Sequence, residues 1–346
     1  MSKPDDYLWD RSGPADPEVQ RLEQLLAPLA HARPLDEVRR RRRRSRIPWI
    51  IGGVVALAAA AALVLYLRAS PTGACGGDAG LAFTTSGGSV ACGEGTVAKG
   101  VLPVGGVLDT GAATAKRTMP DVGTAELFAN TRVRLDRSDA QHQNLHLERG
   151  GMHARVNAPP RLFAITTPGT GVVDLGCEYT IQIDDKGRGS IEVQSGQVEL
   201  ETTAHAVIVA PAGTTARLLE GRSPSAPVAV GASAELREAV LDHERGVPGS
   251  LERVLQLAGS RDAITLANLV VIVPAERGDQ TACKAPCNDR ELVLKRLAEI
   301  APPPEGVTVH AALTDPAVLQ RWRDEVVVDH LALHEEQNTE KRPQKR

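Results

Sequence analysis

The chain has 346 residues, with 40 Lys+Arg against 43 Asp+Glu, a formal net charge of −3 and only 3% aromatic side chains. The charge is unevenly spread, a net-positive N-terminal arm before a long net-acidic remainder, which argues against nucleic-acid binding by that remainder. So few rings argue against a large aromatic-filled core. The 32 glycines and 23 prolines, among many small apolar residues, suit short strands and tight turns.

Residues 1–46 read as a short arm. Asp16-Pro17-Glu18 carries a helix-start signature, with a capping Asp followed by Pro at the first helical position. Val19, Leu22, Leu25, Leu26 and Leu29 then recur along one helical face, and Pro34 limits the helix. A helix of about four turns is unstable alone in water, so its stripe calls for a partner. Together with Tyr7 and Trp9 of an upstream apolar cluster, these leucines and Val19 form the candidate partner-binding face. The plainer alternative is a disordered tether with incidental amphipathicity.

Arg39, Arg40, Arg41, Arg42, Arg43, Arg44 and Arg46 then run into an uninterrupted apolar stretch, residues 47–67. A helix needs roughly 20 apolar residues to cross a hydrocarbon core about 30 Å thick, and this stretch supplies them without one ionisable side chain. Pro48 falls in the first turn, and Trp49 and Tyr66 fall at the depths of aromatic anchors. The arginine excess on the N-terminal flank predicts a cytoplasmic arm and an exported remainder. A single membrane-spanning helix is therefore expected.

All five cysteines lie beyond that stretch, which fits an oxidising compartment. Cys75 and Cys92 enclose a Gly-rich loop and are the first candidates for a disulfide. Cys283 and Cys287, in Cys-Lys-Ala-Pro-Cys, are candidates for a second. Cys177 sits among apolar neighbours and reads as a buried thiol. Cys-x3-Cys without a second ligand pair is not zinc spacing, so no metal is expected.

Residues 68–80 read as a Gly/Pro/Ala linker, and residues 81–222 as an all-β module. Alternating segments are predicted at 124–128, 132–135, 144–147, 152–156, 162–166, 179–183, 190–193 and 197–200. Gly150-Gly151, Asp184-Asp-Lys-Gly187 and Ser195-Gly196 are read as turns, and Pro159-Pro160 and Pro168-Gly169 as interruptions. Such spacing fits a sandwich, a jelly roll or a twisted solenoid. Residues 230–330 switch to helical periodicity, with helices expected at 234–243, 250–257, 264–271, 290–300 and 316–328. Residues 271–273 fit a strand end equally well. Asp289 and Asp315 read as N-caps, and Pro302-Pro-Pro304 as a break. Residues 331–346 form a charged tail, expected to be disordered.

Chemistry-bearing motifs are missing from the sequence. There is no phosphate-cradling Gly loop with Lys-Ser/Thr and no His-Glu-x-x-His. His142, His146 and His153 lie close together, and a hairpin would put His146 and His153 on one face. A surface or half-buried role is the plainer reading for them. No enzyme activity and no cofactor are expected.

Four stretches carry a resemblance. They are Val122-Gly-Thr-Ala-Glu-Leu-Phe-Ala-Asn-Thr-Arg-Val133, Leu147-Glu-Arg-Gly-Gly-Met-His-Ala-Arg-Val156, Arg161-Leu-Phe-Ala-Ile-Thr-Thr-Pro-Gly-Thr-Gly-Val-Val-Asp-Leu-Gly176 and Ile191-Glu-Val-Gln-Ser-Gly-Gln-Val198. In this order, after one membrane stretch, they resemble the extracytoplasmic domain of FecR-type regulators of sigma factors. The resemblance implies a β module in the bacterial periplasm, anchored in the inner membrane and relaying an envelope signal. The implied partners are a sigma factor or similar cytoplasmic protein and a periplasmic ligand or protein. The alternative is an envelope scaffold or binding module with no signalling role.

Overall fold

A computed structural model describes residues 75, 80–93, 95–119, 122–203, 206–273 and 289–341. The arm with its leucine stripe, the arginine run, residues 47–67, and Cys283 and Cys287 lie outside the described residues. Among the described residues, no helix is long and apolar enough to cross a membrane.

Strands begin directly after the linker. β1 (Leu81–Ser86), β2 (Val90–Cys92), β3 (Gly95–Val97), β4 (Lys99–Leu102), β5 (Val107–Asp109) and β6 (Thr114–Met119) come first. They are followed by β7 (Gly123–Leu127), β8 (Arg132–Ser138), β9 (Gln143–Val156), β10 (Phe163–Thr166), β11 (Gly171–Asp174) and β12 (Glu178–Ile183). β13 (Gly189–Ser195), β14 (Gln197–Glu201), β15 (Val207–Pro211), β16 (Thr214–Leu218) and β17 (Val228–Ala229) complete the set. Pairing sorts them into two sheets. The first runs β4-β1-β6-β7-β9-β12-β13-β16-β17. The second runs β3-β2-β5-β8-β9-β10-β11-β14-β15. Every pair is antiparallel except β9 with β10.

Alternation decides which side chains face inward. In β12, Tyr179, Ile181 and Ile183 are buried while Thr180 and Gln182 point away. Across the core they share one cluster with Phe163 and Ile165 of β10, Leu200 of β14 and Ile208 of β15. The module is thus mainly β, two sheets sharing β9 and one hydrophobic core.

β9 belongs to both sheets, and here the structure corrects the sequence. Gly150-Gly151 is not a turn between two strands. It is a corner inside one strand of 14 residues. Residues 143–149 pair with β8 in the second sheet, and 150–156 pair with β7 and β12 in the first. Gly150 has φ +89°, and a Cβ there would lie 2.4 Å from Thr131 Cα. Buried Thr131 fastens the bend: its hydroxyl donates to the Gly151 carbonyl and accepts from the Gly151 N–H, each at 2.9 Å. His146 and His153 accordingly sit on the two halves of one strand, in different sheets, and not on one hairpin face.

Cys75 and Cys92 form a disulfide, with Cα atoms 5.7 Å apart and a sequence separation of 17. It ties the start of the module to β2, and closing a loop of that length contributes about 3 kcal/mol. Cys177 is buried and free.

The helical part follows as expected in kind, with shifted boundaries: α1 (Ala234–Arg245), α2 (Ser250–Leu257), α3 (Ala263–Ile272) and α4 (Asp289–Ile300). A short α5 (Val309–Thr314) and a long α6 (Pro316–Lys341) end the described chain. Residues 271–272 close α3 and are not a strand end. Asp315 does cap α6, accepting from the Ala317 N–H at 2.8 Å, whereas Asp289 is already the first residue of α4. The tail expected to be disordered instead continues α6 as far as Lys341. α3 is buried on every side, the mark of a helix at the centre of a core. Leu236, Val254, Leu294, Leu297, Trp322 and Val326 pack in the cluster around it.

Candidate functional site

An edge strand leaves a row of backbone groups without partners, and β15 is such an edge, pairing only with β14. Here side chains of the helical part close it. Asn268 of α3 accepts from the Val209 N–H at 2.8 Å and returns a bond to the Val209 carbonyl at 2.9 Å. One amide thereby imitates a neighbouring strand. Its nitrogen also donates to the Ile264 carbonyl at 3.0 Å, and its oxygen accepts from Arg323 at 3.1 Å, so the amide is saturated.

Arg323 of α6 extends the same seam. It is only 6% exposed. Its guanidinium donates to the Val207 carbonyl at 2.9 Å, the Ala267 carbonyl at 3.0 Å and the Gln320 side-chain oxygen at 2.9 Å. Burial pulls its pKa down, but an arginine stays charged over any ordinary pH, so this is a buried cation solvated by oxygens.

His330, two turns further along α6, donates through Nε2 to the Ala212 carbonyl at 3.0 Å. That carbonyl belongs to the turn from β15 to β16. Gly213, in the same turn, has φ +77° and lies so close to His334 that a Cβ would meet its Nδ1 at 2.3 Å. His334 in turn accepts from the Asn338 amide at 2.9 Å. The second half of α6 is therefore seated on the crossover between the two sheets.

Beside this seat runs a groove of about 410 Å³. Its apolar lining includes Val230, Leu257 and Leu333, which are 47%, 39% and 44% exposed. Arg261, His330 and His334 supply polar groups. Its volume falls in the about 300–1,000 Å³ range of ligand pockets, and exposed aliphatics gathered beside a few convergent polar groups are the usual composition of one.

Burial holds the His330 pKa below its ordinary value, with His334 acting in the same direction and the Ala212 carbonyl opposing. The folded state therefore resists a proton that the unfolded chain takes up near pH 6.5. Stability from this site is complete above that pH and is lost as pH falls through the folded pKa. Urea unfolding at pH 7.5 and pH 5 should show a smaller acid loss in His330→Gln than in the parent chain.

The other residues singled out from sequence fall elsewhere. The Cys177 thiol donates to Asp174 at 2.6 Å, and burial pushes the pKa of both groups up, which leaves the thiol unreactive. His146 bonds Thr166 at 2.8 Å, His153 bonds Glu178 at 3.0 Å, and His142 bonds Asp139 at 3.3 Å. Among the described residues, no group of three or more His, Cys, Asp or Glu could hold a metal ion. Asn268 and Arg323 escaped the sequence reading. The only local sign of the first was a polar amide inside Ile264-Thr-Leu-Ala-Asn-Leu-Val-Val-Ile272.

Residues 107–199 match the family model described as FecR protein. The chain carries a FecR domain. The match runs from β5 into β14 and contains all four stretches that carried the resemblance. β15 and the helices lie beyond the FecR match, so the seam falls wholly in the part that the family model does not cover, one strand away from matched β14. Among solved structures, a proposed anti-sigma factor from Parabacteroides distasonis, at 1.65 Å resolution, is 17% identical with a TM-score of 0.31. It covers 43% of this chain and 74% of its own. A second structure from that organism, at 2.50 Å, is 17% identical with a TM-score of 0.30 and covers 42% and 72%. No curated protein matches the chain.

Proposed function

We propose that this chain is a membrane-anchored FecR-type regulator that relays an envelope signal to a sigma factor or similar cytoplasmic protein. The observation that carries the reading is the FecR domain at residues 107–199. The apolar stretch 47–67 is the anchor, in the bacterial inner membrane. The arginines before it keep the N-terminus in the cytoplasm and place the sandwich and helices in the periplasm. The Cys75–Cys92 disulfide supports an oxidising compartment for the module. The groove beside α6 is where a periplasmic ligand or protein acts, and the seam makes sandwich and helices respond together. No catalytic step is part of this function.

The arm delivers the signal through a helix-in-groove contact made by Val19, Leu22, Leu25, Leu26 and Leu29, with Tyr7 and Trp9 upstream. Leu22→Asp with Leu26→Asp should abolish co-purification of a co-expressed sigma factor while leaving the level of the full chain unchanged. Undiminished capture would reject this face.

A further inference from the structure

On the far side of the helical part, α1 covers the outer surface of the first sheet without sealing it. A cleft of about 260 Å³ remains between them. Ser190 of β13 stands directly across from Arg217 of β16, and Thr215 of β16 is across from Val228 of β17. Above this patch lie Arg237, Val240 and Leu241 of α1. The sheet side thus carries two hydroxyls, Arg217 and Val228, and α1 supplies Val240, Leu241 and a second arginine from a separate element.

Neither arginine forms an ion pair with another described residue. This sets Arg217 apart from most arginines of the sandwich. Arg132, Arg134, Arg137, Arg149, Arg155, Arg161 and Arg188 on the sandwich each hold a carboxylate. Arg217 acts electrostatically on Glu244, which lies one turn beyond Leu241 on α1. Both its carboxyl oxygens are sealed from water and make no well-formed hydrogen bond, although the Ala226 N–H and the Ser225 hydroxyl lie close. Burial pushes this carboxyl from its ordinary 4.5 up to about 8. Two arginines therefore line one small, largely apolar cleft whose lining includes no Asp or Glu.

We propose that this cleft binds a small organic acid, a monocarboxylate with a short aliphatic tail. Arg217 and Arg237 hold its head, and Val228, Val240 and Leu241 hold its tail. Guanidinium groups match a planar carboxylate through paired N–H donors. The aliphatic lining from Val228, Val240 and Leu241 disfavours inorganic phosphate, which has no tail to bury. The cleft is smaller than the about 300–1,000 Å³ of drug-sized sites, so the acid has few carbons. This site goes beyond the regulatory reading and does not depend on it.

Saturation-transfer NMR on the full chain, with hexanoate as the probe and hexanol and phosphate as competitors, tests the site. Hexanoate should bind, and neither competitor should displace it at equal concentration. Arg217→Ala and Arg237→Ala should each weaken binding about tenfold, the loss expected for one charge-assisted contact. Arg237→Lys should recover part of it. Both arginines are exposed, so the variants should keep the parent's thermal midpoint. The proposal is overturned if hexanoate does not bind, if hexanol binds equally well, if phosphate displaces it, or if the double variant binds with unchanged affinity.

Discussion

Asn268→Ala should lower the stability of the folded sandwich and helices by about 3 kcal/mol. The substitution removes a small side chain, yet it strands the Val209 N–H and C=O and takes one acceptor from buried Arg323. A half-buried backbone group left without a partner costs about 1–3 kcal/mol, and two are affected. For a unit of this size the loss corresponds to roughly 5–10 °C in melting temperature. Asn268→Asp should lose less. It still accepts from Val209 and gains a charge beside Arg323, forfeiting the two bonds its amide nitrogen gave to the Val209 and Ile264 carbonyls. A second readout follows from the exposed edge: β15 without its cover is a template for another strand, so the alanine variant should also aggregate more readily on partial unfolding. If Asn268→Ala melts within a degree of the parent, the seam does not hold the helices to the sandwich.

Gly150→Ala should be as damaging or worse, at about 3–5 kcal/mol. An L side chain at φ +89° costs about 1–2 kcal/mol from backbone strain alone. Contact at 2.4 Å with Thr131 Cα and 2.5 Å with its hydroxyl adds overpacking against backbone that cannot move aside, a further 1–3 kcal/mol. The displaced Thr131 hydroxyl would also give up both bonds to Gly151. Gly221 supplies the control. It too has a positive φ, at +62°, but a Cβ there meets nothing within 4 Å. Gly221→Ala should therefore lose only the strain, about 1 kcal/mol. Equal melting temperatures for the two variants would show that the corner of β9 is not a tight constraint.

The contrast between these positions explains what the sequence could reveal. Strands such as 179–183 and 190–193 were legible because burial alternates in them, and alternation is a local property. Gly150-Gly151 misled because two adjacent glycines signal a reversal far more often than a strand changing sheets, and only the facing Thr131 distinguishes the cases. The second half of α6 reads as a polar tail because its stability comes from His330, His334 and Leu331 meeting other elements, not from an apolar stripe. The seam was the least accessible. Asn268 and Val209 are 59 residues apart and Arg323 and Val207 are 116 apart, so no window along the chain contains both partners. The cleft under α1 has the same character, since Arg217 and Arg237 meet only once helix and sheet are packed.

Membrane orientation is the point on which the regulatory function turns, and cysteine accessibility measures it directly. With Cys283 and Cys287 replaced by serine, single cysteines at Gln20 and at Val104, an exposed position of the sandwich, would be exposed to a membrane-impermeant maleimide in spheroplasts. Val104→Cys should label in intact spheroplasts and Gln20→Cys only after lysis. Labelling of Gln20→Cys from outside, with Val104→Cys protected, would contradict a sensor that faces the envelope and speaks to the cytoplasm.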